Sequence, residues 1–184
     1  MSIDLPTIDG TRVRLRQLSA ADLDDLHAVF SDVTASRYWS RPAFTDLDQT
    51  RDYLAAIDAG RQRGDLLQWG IEQLGAARII GTTTLFHIDR DQGRAEIGYI
   101  LKSSHWGQGL ANEALTALLQ HVRDHMGMRR IDADVDPRNS ASLRCIERLG
   151  FVREGYARER WVVSGEVQDS VLLGLLTREL VVRS

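Results

Sequence analysis

The stretch "SHWGQGLANEAL", Ser104 to Leu115, decides how the rest of the chain is read. Gly107 and Gly109 flank Gln108, and Ala111 follows. An apolar pattern of helical period starts at Leu110 and continues through Ala114, Leu115, Leu118, Leu119 and Val122. A glycine turn that feeds a helix presents backbone N–H groups the helix cannot satisfy itself, and such groups attract anions. The same turn also serves with no ligand, as a tight link between a strand and a helix. The elements on either side must choose.

Upstream, "TRVRLRQL" (11–18) alternates Val13 and Leu15 with Arg12, Arg14 and Arg16, the pattern of a half-buried strand. Two helices follow. One is capped by Ser19 and carries Leu23, Leu26 and Phe30; the other carries Leu47, Tyr53, Leu54 and Ile57 and ends near Gly64. Between them "SRYWSRPAF" (36–44) is irregular and aromatic, suited to packing or to a pocket wall. Three strands come next, 66–74, 77–89 and 93–101, punctuated by Gly75 and by Asp91 to Gly93. Turns that short imply an antiparallel meander. Downstream, "RRIDADVD" points Ile131, Ala133 and Val135 inward, "NSASLRCIERLG" forms a short capped helix, and two strands meet at a Ser164–Gly165 turn. The order β-α-α-β-β-β-α-β-α-β-β implies a single α/β domain over 1–184. Its sheet is mixed and mostly antiparallel, with helices on both faces and one strand-helix-strand unit built on the glycine turn.

Composition narrows the function. With 43% hydrophobic and 27% charged residues the chain is an ordinary globular one, and its net charge of -3 argues against a protein that coats nucleic acid. No apolar run approaches a membrane span, and the N-terminus shows no basic and apolar leader. The single cysteine, Cys145, suits a reducing cytoplasm and excludes an internal disulfide framework. Five histidines without paired spacing give no metal site.

Three phosphate readings compete for Trp106 to Ala111. A dinucleotide fingerprint needs a third glycine where Asn112 stands, and a parallel sheet where the upstream strands read antiparallel. A nucleotide P-loop needs a Gly-Lys-Ser/Thr ending that is absent. A diphosphate cradle made of main chain needs only small residues at 107, 109 and 111 and a following helix, which are present.

The second half of the chain favours the cradle. "AEIGYIL", "HWGQGLANEAL", "NSAS", "LGF" and "EGYARE" together resemble the GNAT superfamily of acetyl-CoA-dependent N-acetyltransferases, and within it the RimJ/RimL-like branch that acetylates protein N-termini. The match runs from Arg94 to Asp169, with a cofactor-binding core at about 94–151; Trp106 departs from the family's Gln/Arg. The resemblance implies acetyl-CoA as cosubstrate, without metal. Ile100 and Leu101 would lie along the pantetheine, and Trp106, Gly107, Gln108, Gly109, Leu110, Ala111 and Asn112 would hold the diphosphate. Asn139 would bond the pantetheine arm, although a plain helix cap is the commoner use of an asparagine there.

Acetyl transfer needs a neutral amine, a polarised carbonyl and a proton for the departing sulfur. The family's usual tyrosine acid is replaced by Ile146, so the resemblance passes the role to Ser142, one helical turn earlier; a local cap is the alternative. Glu96 is the candidate base, acting through water, with Glu72 and Glu159 behind it. Tyr38, Trp39 and Trp69 are candidates for the acceptor groove, and core packing is the alternative for each. His87 reads as a solvated surface residue and Cys145 as a packed small hydrophobe. About a tenth of an α-amine is neutral at pH 7, whereas a lysine needs roughly 3 kcal/mol more to deprotonate. A site without a strong base therefore suits a protein N-terminus; a small-molecule amine is the alternative acceptor, and a non-catalytic acyl-CoA-binding module the alternative function. The oligomeric state stays open, a homodimer included.

Overall fold

The computed structural model describes residues 4–182. Eight strands form one sheet in the order β1-β2-β3-β4-β5-β6-β8-β7. They are β1 (Ile8–Asp9), β2 (Val13–Gln17), β3 (Leu66–Gln73), β4 (Arg78–Asp89), β5 (Arg94–Leu101), β6 (Arg130–Val135), β7 (Val152–Val163) and β8 (Glu166–Leu176). The helices are α1 (Leu23–Phe30), α2 (Val33–Ser36), α3 (Leu47–Arg63), α4 (Leu110–His125) and α5 (Ser140–Glu147). Every pairing is antiparallel except β5 with β6, the two strands joined through the glycine turn and α4. The expected mixed sheet is therefore present. Two elements escaped the pattern reading. β1 is only two residues long, too short to show alternation, and α2 is a single turn held by the Asp32 carboxylate, which accepts from Thr34 N and Ala35 N.

Alternation along the strands separates two apolar layers, because successive side chains point to opposite faces. Val13, Leu15, Leu67, Trp69, Ile71, Ile97 and Leu101 pack with the buried face of α4, whose Ala114, Leu115, Leu118, Leu119 and Val122 are at most 1% exposed. Ile79 and Ile100 pack on the other face with Leu26, Val29 and Phe30 of α1. Each large aliphatic side chain buried in this way contributes about 1.5–3 kcal/mol, so both layers are held without any disulfide. Gly81 lets β4 and β5 approach closely: a Cβ there would stand 2.3 Å from the Ile100 carbonyl oxygen. This close approach lies at the end of β5, next to the glycine turn.

Candidate active site

The parallel ladder between β5 and β6 is short. Its rungs join Arg94, Ala95 and Glu96 to Arg130, Ile131 and Asp132, and then stop. Beyond them β5 pairs only with β4, as far as Leu101 opposite Gly81, and β6 only with β8, as far as Val135 opposite Val171. The two strands thus splay into a wedge whose β5 side offers main-chain N–H and C=O groups with no strand partner. A cavity of about 330 Å3 opens there. Its walls are β5 (Tyr99, Ile100, Leu101), the turn and start of α4 (His105 to Gly107 and Gly109 to Asn112) and the region of α5 (Asn139, Ala141, Ser142, Arg144, Cys145, Arg148). Ala35, Tyr38 and Trp39 close the remaining side.

The turn has the conformation its glycines permit. Gly107 (φ +74°) and Gly109 (φ +77°) both lie in the left-handed region, where a Cβ costs energy. A Cβ on Gly107 would meet nothing within 4 Å, so the space in front of it is open. Glu113 N is the first donor of α4 to reach an acceptor in its own helix, Gly109 O at 3.0 Å. The N–H groups of Leu110, Ala111 and Asn112 are therefore free to serve an anion, aided by the helix dipole. Arg12 clamps this turn from β2's side of the sheet: its Nη1 donates to Gln108 O (2.9 Å) and its Nε to Glu113 Oε2 (2.8 Å). Burial alone would push the Glu113 carboxyl up, but donors from Arg12 and Val13 hold it below the usual range. Trp106 Nε1 donates to Leu101 O (2.7 Å), and Ser103 N donates to the Asp32 carboxylate (2.8 Å), which ties the turn to α2.

Inside the wedge, the Asn139 side-chain oxygen accepts from Ser142 N (3.1 Å), so this residue does cap α5; its amide nitrogen remains as a donor. Ser142 Oγ lies 2.9 Å from Tyr99 Oη. Burial, followed by the neighbouring Cys145, holds the Tyr99 phenol well above the ordinary range, and burial likewise raises the Cys145 thiol. Asn112 Nδ2 donates weakly to Cys145 O (3.4 Å), which brings the start of α4 against α5. The charge of the wall is one-sided. Arg144 and Arg148 line it, and among the described residues neither has a carboxylate partner and no carboxylate lines the cavity.

Most of the residues expected from sequence converge on this one cavity; Trp69, Gln108 and Glu96 do not, and neither do Glu72, which accepts from Arg16, and Glu159. Trp69 is a correction: it is 1% exposed, shares the α4 face with Leu67 and Ile71, and donates through Nε1 to Pro6 O (3.0 Å). It is a core residue, not a groove wall. Gln108 turns away from the cavity, its carbonyl taken by Arg12 and its side chain donating to Ser104 O (3.3 Å). Glu96 lies outside the lining, on the last rung of the β5–β6 ladder and on the opposite face of β5 from Tyr99. Its Oε2 is 2.9 Å from His87 Nδ1, so His87, though exposed, is not merely solvated. Trp39 lines the cavity and also stacks on Phe30, with ring centroids 4.7 Å apart, so both of its readings hold. Sequence reasoning missed Tyr99, Arg12, Arg144 and Arg148. No metal-holding cluster of His, Cys, Asp and Glu occurs among the described residues, and no helix there is long and apolar enough to cross a membrane.

A splayed parallel pair, a glycine turn at a helix start and a cationic wall are together the observation that can be compared. The family pattern described as "Acetyltransferase (GNAT) domain" matches residues 12–152. This chain belongs to the GNAT acetyltransferase family. Among its GNAT relatives, the N-acetyltransferase p20 of Bacillus licheniformis is 33% identical over 175 residues, 95% of this chain and 98% of the relative. The [ribosomal protein uS5]-alanine N-acetyltransferase of Escherichia coli K12 is 31% identical over 125 residues, 67% of this chain and 64% of that one. A solved structure of spermidine N-acetyltransferase from Vibrio cholerae, in complex with CoA and spermine, superposes with a TM-score of 0.80 at 21% identity, covering 91% of this chain and 97% of that one. The fold and the GNAT N-acetyltransferase class are thereby shown, and the relatives' own substrates include both protein and small amines.

Proposed function

We propose that acetyl-CoA occupies the wedge and that its acetyl group passes directly to a protein N-terminal α-amine. The observation that carries the acceptor reading is the make-up of the cavity wall, which among the described residues holds Arg144 and Arg148 and no carboxylate. An ammonium that must lose its proton there has only Glu96 to turn to, outside the wall and reached through water, and an α-amine, with a pKa of ~8, needs far less help than a lysine or a polyamine. The aromatic rim points the same way. The Arg37 guanidinium lies 5.3 Å from the Tyr38 ring and that of Arg41 5.4 Å from the Trp39 ring, and a polycation would meet both charges.

The cosubstrate fits residue by residue. Gly107, Gly109 and the free N–H groups at the start of α4 suit a diphosphate, with Arg144 and Arg148 adding positive charge. The β5 edge at Ile100 and Leu101, which has no strand beside it on the wedge side although Leu101 O accepts from Trp106 Nε1, suits the amide-bearing pantetheine arm, with the Asn139 amide as a further donor. A main-chain N–H of the same edge would hold the oxyanion. Glu96, through water, draws off the proton of the incoming ammonium. As the neutral nitrogen attacks, Ser142 hands its proton to the sulfur while the C–S bond breaks, and takes the proton the nitrogen loses on becoming an amide.

A panel assay tests this reading: acetyl-CoA with a peptide bearing a free N-terminus, the same peptide N-terminally blocked but carrying lysine, spermidine, and an aminoglycoside. Thiol release should be fastest, by kcat/KM, with the free N-terminus. Spermidine or the aminoglycoside outpacing every peptide overturns the acceptor assignment, and CoA binding with no amine-dependent thiol release overturns the enzyme reading in favour of a binding module.

A further inference from the structure

Tyr99 is a part-buried hydroxyl of the wedge that no step above uses. It sits on β5 between Ile97 and Leu101, it lines the cavity, and its hydroxyl is 2.9 Å from Ser142 Oγ, across 43 residues of sequence. The bond could run either way, and the two directions have opposite consequences. A serine hydroxyl has one proton and two lone pairs. If Ser142 donates to Tyr99, its only proton is spent on the protein and none faces a sulfur. If Tyr99 donates, one Ser142 lone pair is filled, the second is open to a proton from the amine, and the serine proton is free to point at the leaving group.

Resting on the acetyl-transfer reading, the geometry points to Tyr99 as the positioning residue of this site, donating its phenolic proton to Ser142 Oγ and so aiming the serine proton at the sulfur. The proton inventory closes without Tyr99 changing state. The C–N bond forms and nitrogen loses one proton to Ser142 Oγ; the C–S bond breaks and sulfur gains the proton that Ser142 held. That inventory needs no relay through Tyr99. Its burial and the adjacent Cys145 both raise the phenol above its ordinary range, so it stays protonated and available as a donor at neutral pH. The same surroundings that make Tyr99 a poor acid make it a dependable orienting donor.

The test is a double-mutant cycle on the full chain with Tyr99→Phe, Ser142→Ala and the pair, reading kcat and the KM for acetyl-CoA separately. Tyr99→Phe should lower kcat about tenfold, the scale of one oriented hydrogen bond, with the acetyl-CoA KM within about twofold of wild type. The pair should be no slower than Ser142→Ala alone, because Tyr99 acts only through that hydroxyl. Wild-type kcat in Tyr99→Phe, losses that multiply in the pair, or a raised KM with unchanged kcat would each overturn the assignment. Should Tyr99→Phe melt too low to assay, a fluorinated tyrosine placed at 99 keeps the shape and strengthens the donor; a changed kcat supports the role and an unchanged one refutes it. A wild-type chain that releases no thiol with any amine overturns the transfer reading itself, and Tyr99's role with it. An active wild type with an indifferent Tyr99→Phe overturns Tyr99 alone.

Discussion

Placing one negative charge in the glycine turn, without changing its shape, asks whether the turn holds a diphosphate. Gly107 is the position for it: φ is +74° and no atom lies within 4 Å of where a Cβ would stand, so a side chain there suffers backbone strain but no clash. Gly109 is less clean, because Arg12 Nη2 is 3.4 Å from its would-be Cβ and would neutralise an introduced carboxylate. Gly107→Asn and Gly107→Asp have the same shape, and both residues tolerate the left-handed region, so their comparison cancels the strain. What differs is a carboxylate against a phosphate at a separation of roughly 5 Å. That repulsion is worth about 3 kcal/mol at an effective dielectric of 20 and under 1 kcal/mol in open water. For a cavity mouth between those limits, CoA affinity should fall about ten- to a hundredfold from Gly107→Asn to Gly107→Asp. Calorimetric titration with CoA measures it, and the gap should narrow as salt rises and the screening length shrinks below about 8 Å. Equal CoA affinity in the two variants at low salt would refute the cradle.

Three further outcomes follow from the same geometry. Ser142→Ala should cut kcat by about a hundredfold in steady-state thiol release while leaving the CoA Kd within a few-fold; wild-type turnover would remove Ser142 from the chemistry. Glu113 is held below the ordinary carboxylate range by Arg12 and Val13, so its contribution to stability is full above that range and lost as the pH falls through and below it. Glu113→Gln should therefore lower the melting temperature at pH 7 and make the acid limb of stability shallower, by calorimetry; an unchanged acid limb would contradict the clamp. Trp69→Ala should cost about 3–5 kcal/mol in urea unfolding because it empties a fully buried site, and Trp69→Phe, once folded, should leave the acceptor KM unaltered.

Where the chain advertises its structure, periodicity does so within one element. The alternation of Val13 and Leu15 against Arg14 and Arg16, and of Ile131, Ala133 and Val135, put β2 and β6 in place, and the apolar stripe from Leu110 to Val122 gave α4 its buried face. The same logic held the fate of Trp69 in plain view: it has the parity of Leu67 and Ile71, and all three share the core face. Reading it as an aromatic of the groove ignored that parity. Parity also separates Glu96 from Tyr99 on opposite faces of β5. Other features have no local signature. The wedge exists because the β5–β6 ladder stops at Glu96 opposite Asp132, and nothing in either strand's composition marks where pairing ends. Tyr99 meets Ser142, and Arg12 meets Gln108, only through the folded sheet. Glycine spacing located the turn and its open helix start, whereas the groups that hold it in place come from distant segments.

A crystal structure of this chain with CoA bears on the central claim more directly than any variant. The diphosphate should lie on the main chain of Gly107 to Asn112, with the pantetheine alongside Ile100 and Leu101 and its sulfur within about 3.5 Å of Ser142 Oγ. A CoA bound outside the β5–β6 wedge, or with its sulfur beyond reach of Ser142, would contradict the account.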